Sequence, residues 1–220
     1  MKLKSLINKK YLIENTEDDY EEFDIPKYSK ETKEKQALAS IMKMLKQKHI
    51  KGDLDLRNSK ITSLGNLQSV NGWLNLGNCK ELSSLGNLQS VGGYLNLGNI
   101  PITSLGNLQS VDGYLNLYKS QIESLGNLKS VGGDLNLENC KELSSLGNLE
   151  NVGGDLYLFN CKKLESLGNL ERVDGNLYLE NTKITSLENL KEINGHIYIS
   201  RYMAGKINIP EHLKNKIEEW

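Results

Sequence analysis

Val91-Gly92-Gly93-Tyr94-Leu95-Asn96-Leu97-Gly98-Asn99-Ile100-Pro101-Ile102-Thr103-Ser104-Leu105-Gly106-Asn107-Leu108 is one copy of a unit that the chain repeats between Gly52 and Ser200. Eight copies open at Gly52, Gly72, Gly93, Gly113, Gly133, Gly154, Gly175 and Gly195, 20 or 21 residues apart. A fixed period of this length marks a solenoid, in which each copy closes one coil and touches mainly its two neighbours. Within Gly-x-Leu-x-Leu the apolar residues alternate, as in a strand with one buried and one solvated face. Leu74 and Leu76 are therefore expected to point inward, and Trp73 and Asn75 outward. The segment Ile-x-Ser-Leu-Gly-Asn-Leu-x-x-Val returns the chain and buries Ile61, Leu64, Leu67 and Val70 in the same core, for about six apolar side chains per coil.

Polar residues that recur in every coil read as scaffold. Asn66, Asn87, Asn107, Asn127, Asn148, Asn169 and Asn189 share one slot, where a side-chain amide can satisfy turn backbone coil above coil. Ser63, Ser84, Ser104, Ser124, Ser145, Ser166 and Ser186 form a second set, and Asn58, Asn78, Asn99, Asn139, Asn160 and Asn181 a third that Lys119 interrupts. Gly65 and Gly86 suit a turn with positive φ, so Glu188 in that slot predicts local strain or an altered turn. Coils with Asn-Cys-Lys-x-Leu, at Asn78, Asn139 and Asn160, hold one residue more than the Asn-x-x-Ile coils, and it should bulge outward.

The pattern Leu-x-Asn-Leu-x-x-Val-x-Gly-x-Leu-x-Leu-x-Asn-x-x-Ile-x-Ser-Leu resembles a leucine-rich repeat of the receptor L-domain kind over residues 52–200. The resemblance implies a right-handed solenoid with a parallel sheet along one face, used to bind proteins or peptides. The commoner Leu-x-x-Leu-x-Leu-x-x-Asn spacing and a helix on the convex side are not part of this pattern. It carries over no catalytic or ligand-binding residue, because the shared positions are scaffold.

The expected fold is thus a β-solenoid of about eight coils over residues 51–200, capped at both ends. Ser29 can N-cap a helix running to about His49, with Leu38, Ile41, Met42 and Leu45 on one face, so residues 29–50 read as the first cap. Residues 201–220 read as the second, with Gly205-Lys206-Ile207-Asn208-Ile209 repeating the strand motif and Leu213, Ile217 and Trp220 on a short helix. Residues 1–28 form an acidic leader. Its Glu17, Asp18, Asp19, Tyr20, Glu21, Glu22, Phe23 and Asp24 are either a solvated, partly disordered tail or an accessory peptide that docks on a basic protein surface.

Composition narrows the function. The net charge is −1 at pH 7, and Lys and Arg form no stripe that could track phosphates, so direct nucleic-acid binding is not expected. The first ten residues lack the apolar core of a secretory signal, and no run approaches the roughly 20 apolar residues of a membrane span. A cytoplasmic protein away from membranes is the expectation. Cys79, Cys140 and Cys161 fill one slot, read as small and half-buried. Stacking would bring Cys140 and Cys161 within disulfide range, but the odd count and missing signal favour reduced thiols. Without a His or acid at ligand spacing they suggest no metal site. His49, His196 and His212 are scattered, no Gly-x-x-Gly opens a helix, and Asp134 and Asp155, although a carboxylate pair in adjacent coils, lie on an open sheet. No catalytic residue, metal or cofactor is expected.

Binding information can only be stored where coils differ. The first outward position of the strands reads Asp53, Trp73, Tyr94, Tyr114, Asp134, Asp155, Asn176, His196; the second Asp55, Asn75, Asn96, Asn116, Asn136, Tyr157, Tyr178, Tyr198; the third Arg57, Gly77, Gly98, Tyr118, Glu138, Phe159, Glu180, Ser200. Two aromatic clusters result, Trp73, Tyr94, Tyr114 and Tyr118, then Tyr157, Phe159, Tyr178 and Tyr198, with Asp134, Glu138 and Asp155 between them. Such rings are either interface hot spots or cross-strand stacks that stabilise the sheet. The leading expectation is a non-catalytic protein-binding solenoid whose partner has a basic patch. The alternatives are a small inhibitor or decoy, such as a viral or mobile-element anti-defence factor, that occludes a nucleic-acid-binding surface, and a carbohydrate binder using the tyrosines. Self-association through the sheet is a further option.

Overall fold

The computed structural model describes residues 39–41 and 43–219. They form a parallel β-solenoid with two sheets running its length. The front sheet has nine strands, from Leu54–Asp55 through Leu74–Asn75 and its equivalents to Ile197–Ile199 and Ile217–Glu219. The back sheet has eight, from His49–Ile50 through Ser69–Val70 to Glu192–Ile193. Strands are two or three residues long and every pairing is parallel and in register, Leu74 against Leu95 and Val70 against Val91. No helix among the described residues is long and apolar enough to cross a membrane.

The core follows from this register. Leu74 and Leu76 are completely buried while Trp73 and Asn75 reach the surface, as the alternation requires. Each middle coil buries seven side chains rather than six, in coil three Leu95, Leu97, Ile100, Ile102, Leu105, Leu108 and Val111. The seventh comes from the slot of Cys79, Cys140 and Cys161, which is fully buried in all three rather than half-buried. Each thiol donates to a carbonyl of the preceding coil, Cys79 to Leu56, Cys140 to Leu117 and Cys161 to Leu137, at 3.0, 3.2 and 3.1 Å. Ser120 occupies the same buried slot, with its Oγ 3.5 Å from Cys140 Sγ of the next coil. The three cysteines are free.

The corners depend on left-handed backbone. The glycines of the return turn take φ near +60°, and at Gly126 a Cβ would also meet the Gly106 carbonyl at 2.6 Å. Glu188 avoids positive φ, so its turn differs in backbone angle from the glycine turns, and Asn208 Nδ2 donates to Glu188 Oε1 at 2.6 Å. At the other corner Asn58, Asn78, Asn99, Asn139, Asn160 and Asn181 adopt φ of 56 to 64°, and Lys119 adopts 54°. Asparagine tolerates this region through local side-chain bonding and lysine does not. The Ser set works within coils rather than between them, Ser104 Oγ accepting from Gly106 N–H at 3.0 Å. The Asn107 set does reach across, with Nδ2 donating to the Gly86 carbonyl at 3.2 Å and Asn189 to Gly168 at 2.8 Å.

In the longer coils the added residue is external, since Lys80 and Glu81, Lys141 and Glu142, and Lys162 and Lys163 are all exposed. Its effect is seen on the third side of the solenoid, where Ser104 bridges Ser124 and Ser145 bridges Ser166. Each of those bridges joins two coils of equal length.

The ends differ in detail from the sequence reading. Helical backbone at 39–41 and 43–44 stops short of His49, which instead opens the back sheet. Leu45 is buried against the first coils. At the far end a short helix, Arg201–Ala204, buries Met203, and a 3-10 turn, Glu211–Lys216, buries Leu213. Asn208 supplies a single bridge to Ser186 rather than a front-sheet strand. The ninth front strand is Ile217–Glu219, so Ile217 belongs to a strand and not to a helix. The acidic segment and Trp220 lie outside the described residues.

Candidate functional site

Polar side chains bond along the surface of the front sheet, and they change column half way. In coils two to five the second column is an asparagine ladder. Asn96 Nδ2 donates to Asn75 Oδ1 at 3.0 Å and Asn116 Nδ2 to Asn96 Oδ1 at 3.2 Å. Each Oδ1 also accepts the amide two residues on, as from Gly98, Tyr118 and Glu138 at 3.0, 3.0 and 2.9 Å. From coil five the first column takes over. Asp134 Oδ1 accepts Asp155 N–H at 2.8 Å, Asp155 Oδ1 accepts Asn176 N–H at 2.6 Å, and Asn176 Oδ1 accepts His196 N–H at 2.9 Å. The coil-opening glycine is required beside this column, because a Cβ on Gly154 would collide with Asp134 Oδ1.

Aromatic residues occupy whichever column the polar ladder leaves. Tyr94 and Tyr114 stack in the first column at 5.3 Å between centroids and 17° between planes. Tyr157, Tyr178 and Tyr198 stack in the second at 4.9 and 4.8 Å, within 7° of parallel. Phe159 leans on Tyr178 at 5.3 Å and 32°. The structure therefore brings six of the predicted rings into contact, Tyr94 with Tyr114 and Tyr157, Tyr178, Tyr198 and Phe159 with one another, while Trp73 and Tyr118 stand beside the first pair in the first and third columns. All eight, Trp73 included, are half-buried rather than fully exposed. In the stacked pairs one ring face lies against its neighbour.

The acids lie between these groups and are already engaged. Tyr157 Oη donates to Asp155 Oδ2 at 2.9 Å, so both oxygens of Asp155 are used. Burial, followed by this hydrogen bond and the charge of Asp155, pushes the Tyr157 phenol well above its ordinary range. Burial also raises Tyr114, with smaller contributions from the charges of Asp134 and Glu138. Lys119 places its ammonium 4.9 Å from the Tyr118 ring centroid, a contact with no signal in the sequence beyond the break in the Asn series. Burial raises the thiols, Cys140 to about 11 and Cys161 to about 12.

The remaining groups singled out by sequence do not converge on the front face. His49 Nδ1 contacts Ser69 Oγ at 2.9 Å at the first coil, His212 contacts the Leu190 carbonyl at 3.2 Å in the final cap, and His196 lies 3.9 Å from Glu218. A cavity of about 600 Å³ lies between Leu45 and the first coil, lined by Ile61, Thr62 and Asn66, away from the aromatic columns. In comparisons of the chain with known proteins, no family model matches, and neither a curated protein nor a solved structure shows significant similarity.

Proposed function

We propose that the chain is a non-catalytic, cytoplasmic solenoid that binds another protein through its front sheet. The observation that carries this reading is the distribution of variety. Buried columns and corners repeat one solution, whereas the front face carries eight half-buried aromatic side chains, six of them in ring contact with a neighbour. Aromatic anchors held by their neighbours lose little freedom on association and are the residues that dominate interface energies. The paired leucines of each front strand and the Asn corners support assigning the coils to the leucine-rich-repeat, L-domain-like kind. The free buried cysteines fit a reducing compartment.

A second reading is favoured by charge. From Trp73 to Ser200 the three outward columns hold Asp134, Glu138, Asp155 and Glu180 and neither Lys nor Arg. Such a face suits occlusion of a basic surface on the partner. Sugar binding is less well supported, since a sugar packs on an open ring face and these faces lie against one another.

A photo-crosslinking residue placed at Tyr94 or Tyr178 should capture one stoichiometric partner from the native host, and the same residue at Thr103 on the third side should not. Tyr178→Ala should weaken that capture by about 2 kcal/mol while lowering the stability of the chain by only about 0.2 to 1 kcal/mol per lost stack. Equal capture from both sides, or none from the front, would refute the reading.

A further inference from the structure

Coil five is the centre of an approximate two-fold symmetry on the front face. A half-turn about an axis normal to the sheet, passing through coil five between the first two columns, exchanges those columns and reverses the order of the coils. It carries Tyr114 onto Tyr157, Tyr94 onto Tyr178 and Trp73 onto Tyr198. The ladder of Asn75, Asn96 and Asn116 falls on His196, Asn176 and Asp155, and at the centre Asp134 exchanges with Asn136. In these two columns every ring therefore meets a ring and every polar residue a polar one. In-register pairing places Asn136 between Asn116 and Tyr157, so the relation holds in space as well as in the chain. The stacks agree in geometry, 5.3 Å and 17° for Tyr94 on Tyr114 against 4.9 Å and 4° for Tyr157 on Tyr178, and all six rings are half-buried. The third column, with Tyr118 and Phe159, does not follow the axis.

The fold has no need of this symmetry. The asparagine ladder that runs as far as coil five satisfies the surface by itself, and the core gives no reason to end it there, since Leu115, Leu135 and Leu156 continue one fully buried column through the exchange. What the exchange does is set two equivalent stacks at coils three and seven, four strand spacings or about 19 Å apart. Two equivalent patches on one rigid face can be engaged together by a partner that repeats its own site about the same axis, which is the property of a homodimer met along its two-fold axis. Charge gives the rest of that partner. Asp134 and Glu138 lie in the central coil and Asp155 in the next, and from Trp73 to Ser200 the outward columns hold neither Lys nor Arg. The partner surface nearest its axis is then basic.

We propose that the front sheet binds a homodimeric protein across its two-fold axis, one chain to each dimer. The identical apolar sites of the two protomers rest on the Tyr94–Tyr114 and Tyr157–Tyr178 stacks, and basic residues of both lie over Asp134 and Glu138. This rests on the protein-binding reading above and names the symmetry and charge of the partner. A monomer engages one stack at a time, whereas a dimer makes its second contact within the same complex and gains about 100- to 10,000-fold in affinity.

The test places p-benzoylphenylalanine at Tyr94 in one full-length variant and at Tyr178 in another. Each is irradiated in a lysate of the native host, and the crosslinked peptides and the mass of the complex are read by mass spectrometry. Both positions should capture the same peptide of the same protein, in a complex of one chain with two partner protomers. Wild-type thermal midpoints establish that the variants fold, and Tyr114 and Tyr157, related by the same axis, replace a position that disturbs folding. Asp134→Asn combined with Glu138→Gln should lower both captures about tenfold, the size of a charge-assisted bond. Different peptides at the two positions, capture at only one of them, a one-to-one complex, or undiminished capture by the charge variant would overturn the dimer and leave the binding face standing. If neither position captures a protein, the protein-binding reading itself fails, and the dimer with it.

Discussion

Coils two to four and coils six to eight of the front sheet solve one problem in mirrored ways. Both must satisfy backbone amides along a flat surface, and both do so with a column of short polar side chains. In the earlier half that column is the second, Asn75, Asn96 and Asn116, and the rings stand in the first. In the later half it is the first, Asp155 and Asn176 continuing from Asp134 of coil five, and the rings stand in the second. Coil five ends one ladder with Asn136 and begins the other with Asp134, so neither of its first two columns holds a ring. The surface available to a partner is thus set by where the scaffold changes column.

If the halves differ only on their faces, their cores should respond alike. Leu95→Ala and Leu177→Ala, each at a fully buried front-strand position, should both cost about 2 to 5 kcal/mol in chemical denaturation. Values that differ by more than this range would show that the halves are unlike inside as well. On the surface the difference should be sharp. Asp155→Ala removes the acceptor for Asn176 N–H and Tyr157 Oη and should cost about 1 to 3 kcal/mol. Asp155→Asn should recover most of the loss, because Asn176 already serves as an amide acceptor in the same column; equal losses for both variants would show that charge rather than bonding matters there.

The smallest effect concerns the thiols beside the crossover. Burial lifts Cys140 to about 11 and Cys161 to about 12 from 9.0, so the unfolded chain loses its thiol protons first as pH rises. Their contribution is complete below pH 9 and falls away between there and the folded values, amounting to about 1 kcal/mol per thiol at pH 10. The thermal midpoint of the wild type should therefore drop more between pH 8 and pH 10 than that of Cys140→Ala with Cys161→Ala. A parallel decline in both proteins would exclude the thiols as its cause.

Much of this was readable in the chain. Alternation in Gly-x-Leu-x-Leu placed the buried leucines, the extra residue of the Cys coils was correctly turned outward, and Glu188 announced the altered turn. The two aromatic groups were also visible as columns. The back sheet was not, because strands as short as Ser69–Val70 contain a single apolar residue and no alternation to detect. Nor was the strand Ile217–Glu219, whose Leu213 and Ile217 spacing imitates a helix until pairing with Ile197 decides the matter. Lys119 over Tyr118 escaped notice because a break in a repeat reveals neither a backbone angle nor a contact.

The sequence by itself determined the coil period, the inward columns and the residues at the corners, since these follow from alternation and turn chemistry within some twenty neighbouring positions. The tertiary structure alone decided the second sheet, the ninth front strand, and the hydrogen bonds that turn one polar column into a ladder in each half. Each of these depends on which atoms meet across adjacent coils, and that is settled only when the coils stack in register.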